Sequence, residues 1–220
     1  MNKKEFYQEK AREYFDRTSL LRYEMAVKLA TIQNNSTVCD IGCNCGQMQI
    51  IFEKLGVNCK YYGIDIAKEV VKEAKICGNG NFVVCDIMQE LPFSKAQFDY
   101  VFCLEVIEHV ENPSLLIREI RRILKDKGML ILSTPNPYRW SEILANLLKL
   151  PERAGHISSF TFQTLRGLLG FCNFEIVSSR GTYALFPPVR RYLKANKYFI
   201  IRTNRFFLTN SSIYKIRKRK

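Results

Sequence analysis

From Thr37 to Ser133, apolar runs of strand length alternate with stretches of helical pattern. No other feature constrains the fold as much. Thr37–Ile41 reads as a strand ending at Gly42, and Gln47–Leu55 as a helix closed by Gly56. Lys60–Ile64, Asn81–Cys85, Phe98–Cys103 and Met129–Ser133 read as further strands, with helices over Ala67–Cys77 and Ser114–Lys125. Repeated β-α units of this length predict an α/β fold: a doubly wound, mostly parallel sheet with helices on both faces. Two N-terminal cap helices are expected within residues 1–33, over 3–17 and 19–32, where apolar residues recur at helical spacing. After the fifth strand, 137–160 reads as a lid insertion. Its stripe of Trp140, Ile143, Leu144, Leu147 and Leu148 predicts a helix over Tyr138–Leu150, packed in the core or facing an apolar acceptor. Thr161–Leu169 follows as a helix, Phe174–Ser179 as a strand and Ser211–Arg217 as the last of seven strands. The intervening 188–209 is read as helical. No linker divides the chain, so 1–220 is expected to be a single domain.

Open α/β sheets bind ligands beyond the carboxyl ends of their strands. The first strand ends in Asp40-Ile41-Gly42-Cys43-Asn44-Cys45-Gly46, a glycine-containing turn that lets the backbone approach a ligand. The second ends in Asp65, placed to accept from both ribose hydroxyls, and the third in Asp86, placed to accept from an adenine amino group. A dinucleotide site would need Gly at positions 44 and 47, which are Asn44 and Gln47. Asp40 would also repel a pyrophosphate, whereas it suits a ligand carrying an ammonium and a sulfonium.

The ordered set Asp40-x-Gly42-x-x-x-Gly46, Asp65, Asp86, Phe98–Val110 and Gly128–Asn136 resembles the class I S-adenosylmethionine-dependent methyltransferases over about residues 20–182. Asn44 stands where that family usually carries a middle glycine, and Asn tolerates the positive φ such a turn needs. The resemblance implies a seven-stranded Rossmann-like methyltransferase fold and S-adenosylmethionine as cofactor. It places Asp40 and Gly42 at the methionine moiety, Asp65 at the ribose, Asp86 and Ile87 at the adenine, and Cys103 and Leu104 on the methyl-transfer face, with Cys43, Gly46 and Ile66 also among the cofactor-binding residues.

Methyl transfer from a sulfonium needs chiefly a positioned acceptor, and a hydroxyl acceptor must also lose its proton. Only two histidines are present, His109 and His156. His109 lies in Glu105-x-x-Glu108-His109, which on a helical turn would converge two carboxylates and an imidazole. Those groups with His156 would suit Mg²⁺, Mn²⁺ or Zn²⁺. A similar Glu-x-x-Glu-His with a later His holds a divalent metal in ubiquinone-biosynthesis O-methyltransferases and in small-RNA 3′-terminal 2′-O-methyltransferases. In other small-molecule methyltransferases the same run carries no known metal, and His109 can there act as base or helix cap. Glu105, Glu108 and His109 are therefore the candidate catalytic residues, and with His156 the candidate metal ligands.

Charge distribution bears on partners. The net charge is +13, yet residues 176–220 hold 12 Lys and Arg and no acid, leaving 22 of the 34 basic residues against all 21 acids. The basic tail, 188–220, ends in the last strand. It mixes Arg190, Arg191, Lys194, Lys197, Arg202 and Arg205 with Tyr192, Tyr198, Phe199, Phe206 and Phe207, a composition suited to an anionic membrane surface and, second to it, to RNA. Eight cysteines lack paired CxxC spacing and are expected to be reduced. No apolar run approaches the roughly 18 residues of a membrane span. Met1–Lys10 lacks the apolar segment of a secretory signal, which predicts a cytoplasmic protein, and the basic aromatic tail adds the expectation of peripheral contact at the inner membrane face. The expected activity is O-methylation of a small or lipid-linked hydroxyl acceptor. Its rivals are RNA 2′-O-methylation and a non-catalytic scaffold binding anionic partners through the tail.

Overall fold

The computed structural model describes residues 17–152, 154–186, 199–202 and 208–219. The helix expected over 3–17 lies almost wholly outside them, as do Arg153 and most of the basic tail. α1 spans Arg17–Ala30, β1 Ser36–Ile41, α2 Gln47–Lys54, β2 Cys59–Asp65, α3 Lys68–Cys77, β3 Asn81–Val84 and β4 Phe98–Leu104. A 3₁₀ turn at Ile107–His109 precedes α4 (Pro113–Ile123), β5 (Leu124–Pro135), α5 (Trp140–Leu147), α6 (Phe162–Phe171) and β6 (Phe174–Gly181). β7 (Tyr183–Phe186), β8 (Phe199–Arg202) and β9 (Ser211–Lys218) complete the described elements.

Seven strands form one sheet in the order β3-β2-β1-β4-β5-β9-β6. The first five run parallel, and β9 enters antiparallel between β5 and β6. The sheet is thus mixed, on the doubly wound plan the sequence predicts. β1 lies inside it, between β2 and β4, with Val38, Cys39 and Ile41 fully buried. A parallel strand covered on both faces must be apolar on both. One core cluster packs Ile117, Ile120 and Leu165 against one face, and a second packs Ala26, Met48 and Phe52 against the other.

Local chemistry fixes the helices. At α4 the Asn112 side chain accepts from the Leu115 N–H, Pro113 opens the first turn, and Leu116, Ile117, Ile120 and Ile123 form the buried stripe. The helix stops at Ile123, before the expected Lys125. Leu124 is already paired with Phe98, and the Lys125 ammonium reaches the Asp99 carboxylate at 2.9 Å.

Two expectations are corrected. The segment 188–209 is not helical where it is described: Phe199–Arg202 is a strand, paired antiparallel with β7 in a separate two-stranded sheet. Phe199, Ile200 and Ile201 are aromatic and β-branched, the residue types strands favour. The lid stripe is not core packing, since no residue of α5 is buried and Trp140, Ile143 and Leu147 are 45%, 52% and 76% exposed.

The register brings the strand ends together. Ile41 is level with Ile64 on one side and Cys103 on the other, and Leu104 is level with Ser133. β9 begins at the same edge, Ser211 opposite Pro135. The side chains that close a site here therefore come from five strands and the loops that follow them.

Candidate active site

A cleft of about 1110 Å³ opens along this edge. Its floor is the turn after β1. Gly42 has φ +76°, and a Cβ there would lie 2.5 Å from the Val106 side chain, so the turn requires glycine. Asn44 takes φ +50°, as its residue type allows. Its backbone N–H donates to the Asp65 carboxylate at 3.0 Å, and Ala67 N–H donates to the other oxygen at 2.9 Å. Burial pushes the Asp65 carboxyl up, against these N–H groups, which favour its charge. Asp65 lines the cleft and keeps acceptor capacity beyond those two bonds.

Of the ten expected cofactor residues, Gly42, Asp65, Ile66, Asp86, Ile87 and Leu104 line this cleft. Asp86 is exposed and accepts from Met88 N–H at 3.0 Å. Asp40, Cys43, Gly46 and Cys103 stand behind the wall. Asp40 is 3% exposed and accepts from the Tyr61 hydroxyl at 2.7 Å. Burial raises its carboxyl to about 7, against the Tyr61 hydrogen bond. Cys103 and Leu104 point to opposite faces of β4, which puts the Cys103 thiol in the core and Leu104 at the cleft. The Cys43 side chain is buried in the second cluster. Gly46, at φ +79°, starts α2 and donates its N–H to the Cys43 carbonyl.

At the acceptor end the structure separates residues the sequence put together. Glu105 adopts φ +56° where β4 ends, so Glu105 and Glu108 do not share a helical face. The Glu105 carboxylate instead accepts from the Ser133 hydroxyl at 2.7 Å and the Ser211 hydroxyl at 3.1 Å, with the Arg22 guanidinium 3.9 Å away. Glu108, His109 and His156 do converge, with possible ligand atoms all within 4.8 Å of one another. Glu108 is 1% exposed, and among the described residues neither of its carboxylate oxygens has a hydrogen-bond partner. Burial first, and then the Glu105 charge, push its carboxyl far above the usual range.

The two imidazoles lie with ring centroids 4.9 Å apart. His109 Nδ1 faces the Gly155 carbonyl at 3.1 Å, and His156 Nδ1 faces the Glu152 carboxylate at 3.1 Å. An oxygen acceptor at Nδ1 fixes the proton there and leaves Nε2 with its lone pair. Burial lowers the His109 pKa, so the ring is neutral at pH 7. The Glu108 carbonyl accepts from the N–H groups of Ile157 and Ser158, tying the 3₁₀ turn to the loop that carries His156.

Sequence reasoning missed Arg22 and Tyr23. Both line the cleft from α1, and the Arg22 Nε is buried without a hydrogen-bond partner among the described residues. The available signal was position: Arg22 falls three residues before Met25, inside the apolar arc of its helix, where a guanidinium is costly without a task.

A family profile described as "Methyltransferase domain" matches residues 5–179. The chain belongs to the methyltransferase domain family. It carries the S-adenosylmethionine-dependent methyltransferase domain, and the cleft at the strand ends is where that fold takes its ligand. A ubiquinone biosynthesis O-methyltransferase of Xanthomonas oryzae pv. oryzae is 36% identical over 104 residues, which cover 45% of this chain and 43% of that enzyme. The methyltransferase thus spans less than half the length of that relative. Among solved structures, the complex between the Haloferax volcanii Trm112 methyltransferase activator and a methyltransferase gives a TM-score of 0.74 at 16% identity, covering 96% of this chain and 93% of that one. Magnesium protoporphyrin IX methyltransferase from Synechocystis, with bound S-adenosylhomocysteine, gives 0.61 at 22% identity, covering 92% and 82%. At these identities the two structures share the fold with the methyltransferase domain.

Proposed function

We propose that this methyltransferase transfers the methyl group of S-adenosylmethionine to a hydroxyl of a small or lipid-linked acceptor. The observation that carries the reading is the Glu108 carboxylate, buried without a hydrogen-bond partner beside two imidazoles whose Nδ1 atoms are already engaged. A group so costly to bury calls for a partner that arrives with the reaction. The name of the Xanthomonas relative points the same way, to oxygen as the acceptor atom.

The cofactor side is read from the polar groups that line the cleft. Asp65 takes the ribose hydroxyls, and Asp86 and Ile87 take the adenine. Gly42 lets the methionine moiety lie against the backbone. Arg22, with its unpartnered Nε, meets the methionine carboxylate. Asp40 lies beneath the turn and supplies a negative field for the ammonium and sulfonium when ionised.

In the transfer, the acceptor oxygen forms a bond to the methyl carbon as the carbon–sulfonium bond breaks. Its electron pair returns to sulfur, and S-adenosylhomocysteine leaves uncharged. The hydroxyl proton must also go, and His109 Nε2 is the base available at neutral pH. Glu108, His109 and His156 also fit Mg²⁺, Mn²⁺ or Zn²⁺, since an orphaned carboxylate and two Nε2 lone pairs are the donors such an ion takes. Bound there, it would lower the pKa of the acceptor hydroxyl. Glu105, held by two serines and Arg22, orients the wall and is not in that set.

α5 turns Glu142, Ala145 and Asn146 to the cleft and leaves Trp140, Ile143, Leu144 and Leu147 exposed outside that lining, and the described residues that flank the basic segment in sequence meet at the same sheet edge. Thr182 bonds Ser211, and Asn136 bonds Thr209 and Asn210. This supports an acceptor met at an anionic membrane surface rather than RNA in the cleft. No helix among the described residues is long and apolar enough to cross a membrane.

The test is mass spectrometry of lipid and small-molecule extracts given isotopically labelled S-adenosylmethionine, with and without chelator. A labelled methyl on a hydroxyl is the expected result. Label appearing only on nitrogen, on carbon or in RNA would overturn the reading.

A further inference from the structure

The sheet edge opposite the cleft carries a second concave site. α4 ends beside the start of β6, and the end of β9 lies next to both. A depression of about 450 Å³ there is lined by Arg118, Arg121, Phe171 and Asn173. Arg118 stacks its guanidinium over the Phe171 ring at 5.4 Å, while Phe171 remains 71% exposed. The Asn173 carbonyl accepts from Arg121 Nε at 3.5 Å and from the Arg219 backbone N–H at 2.9 Å. The Arg219 guanidinium lies across Gly170, in space that glycine leaves open.

The helix ends explain why arginines are found here, since cations favour the last turn. They do not explain why the guanidiniums lack anionic partners. The neighbouring bases are paired: Arg122 with Glu119, Arg217 with Glu175, and Lys218 with Asp126. Among the described residues, no carboxylate pairs with Arg118, Arg121 or Arg219. An aromatic ring of this exposure, with one guanidinium over it and two more at the neighbouring Gly170 and Asn173, matches a ligand with both a flat π-face and a phosphate.

We infer that this site binds a nucleotide unit, its base on Phe171 and its phosphate between Arg118, Arg121 and Arg219. The unit comes either from a free mononucleotide or from a stretch of single-stranded nucleic acid. The site shares no residue with the cleft, so it stands or falls apart from the proposed methyl transfer.

The test uses the full chain with two probes, adenosine monophosphate in calorimetry and a labelled single-stranded oligoadenylate in anisotropy. Phe171→Ala leaves the net charge unchanged, so it separates this site from the basic tail. It is expected to weaken binding about tenfold, the cost of one lost stacked base. Arg118→Ala combined with Arg121→Ala should weaken binding further and, for the oligonucleotide, flatten its salt dependence. Unchanged thermal unfolding and S-adenosylmethionine binding verify the folds of these variants. Binding of the mononucleotide by a variant-sensitive site identifies a free nucleotide as sufficient, and binding of the oligonucleotide alone identifies a strand. Two results overturn the inference: no binding of either probe, or binding that both variants leave unchanged.

Discussion

The backbone N–H of Asn44 donates to the Asp65 carboxylate at 3.0 Å, joining the turn after β1 to the end of β2. One carboxylate thereby both fixes the turn and faces the cleft. Asp65→Ala is expected to lose at least one charge-assisted bond to the cofactor, worth about 1.5–3 kcal/mol. Calorimetry should show S-adenosylmethionine affinity down tenfold or more. Asp65→Asn should recover the shape but little of the affinity, because the charge is gone and its amide cannot accept from the Asn44 and Ala67 N–H groups at once. Wild-type affinity in both variants would remove Asp65 from the site.

Asp40 gives a pH dependence with a defined sign. Its folded pKa, about 7, lies above the unfolded value of about 3.9, so the folded state holds the extra proton between those limits. Its contribution to stability is therefore greatest at low pH and is lost as pH rises from about 4 through 7. Asp40→Asn should raise the melting temperature of the ligand-free protein at pH 8 and do little at pH 4. Cofactor binding should run the other way: wild type tightens from pH 6 to pH 8 as Asp40 ionises, and the variant stays weak throughout. A melting difference independent of pH would assign the effect to packing.

Glu108 and Glu105 separate by thermal shift. Burial of the unpartnered Glu108 carboxyl raises its pKa, so it destabilises the fold as pH rises above the ordinary carboxylate range. Glu108→Gln should raise the melting temperature in chelator at pH 8 and abolish any stabilisation by Mn²⁺ or Zn²⁺. That stabilisation would reach about 2.7 kcal/mol at a hundredfold excess over the dissociation constant. Glu105→Gln should lower stability by breaking the serine network while leaving the ion response intact. Absence of any ion response in wild type would leave His109 as the base.

Much of the fold was legible because parallel strands write their burial into the chain. Val38, Cys39 and Ile41 are apolar because both faces of β1 are covered, and Gly42 follows because no Cβ fits beside Val106. The carboxylates at strand ends were legible for the same reason. The acceptor end was less so. Spacing places Glu105 and Glu108 on one helical face, but the left-handed Glu105 breaks that geometry, and its partner Ser211 is 106 residues away. Arg22 was hidden similarly. It is read against its own helix in the sequence, whereas its role comes from Glu105 and Tyr183, which only the tertiary fold brings near.

The apolar lid makes the last prediction. Ile143, Leu147, Leu148 and Leu150 are each more than half exposed; single surface residues of this kind are ordinary, but four within residues 143–150, on and just after a helix that lines the cleft with Glu142, Ala145 and Asn146, are not. Each buried methylene contributes about 0.8 kcal/mol, and each Lys or Arg near an anionic bilayer about 1 kcal/mol. The protein should therefore co-sediment with phosphatidylserine vesicles at low salt, bind neutral vesicles weakly, and detach as salt shortens the Debye length. Ile143→Ser with Leu147→Ser should reduce the bound fraction several-fold without lowering the melting temperature, because neither side chain packs in the core. Retention of wild-type binding would assign the contact to the basic segment alone. If wild type stays in the supernatant at low salt, the acceptor is a soluble hydroxyl and the lid closes over it instead.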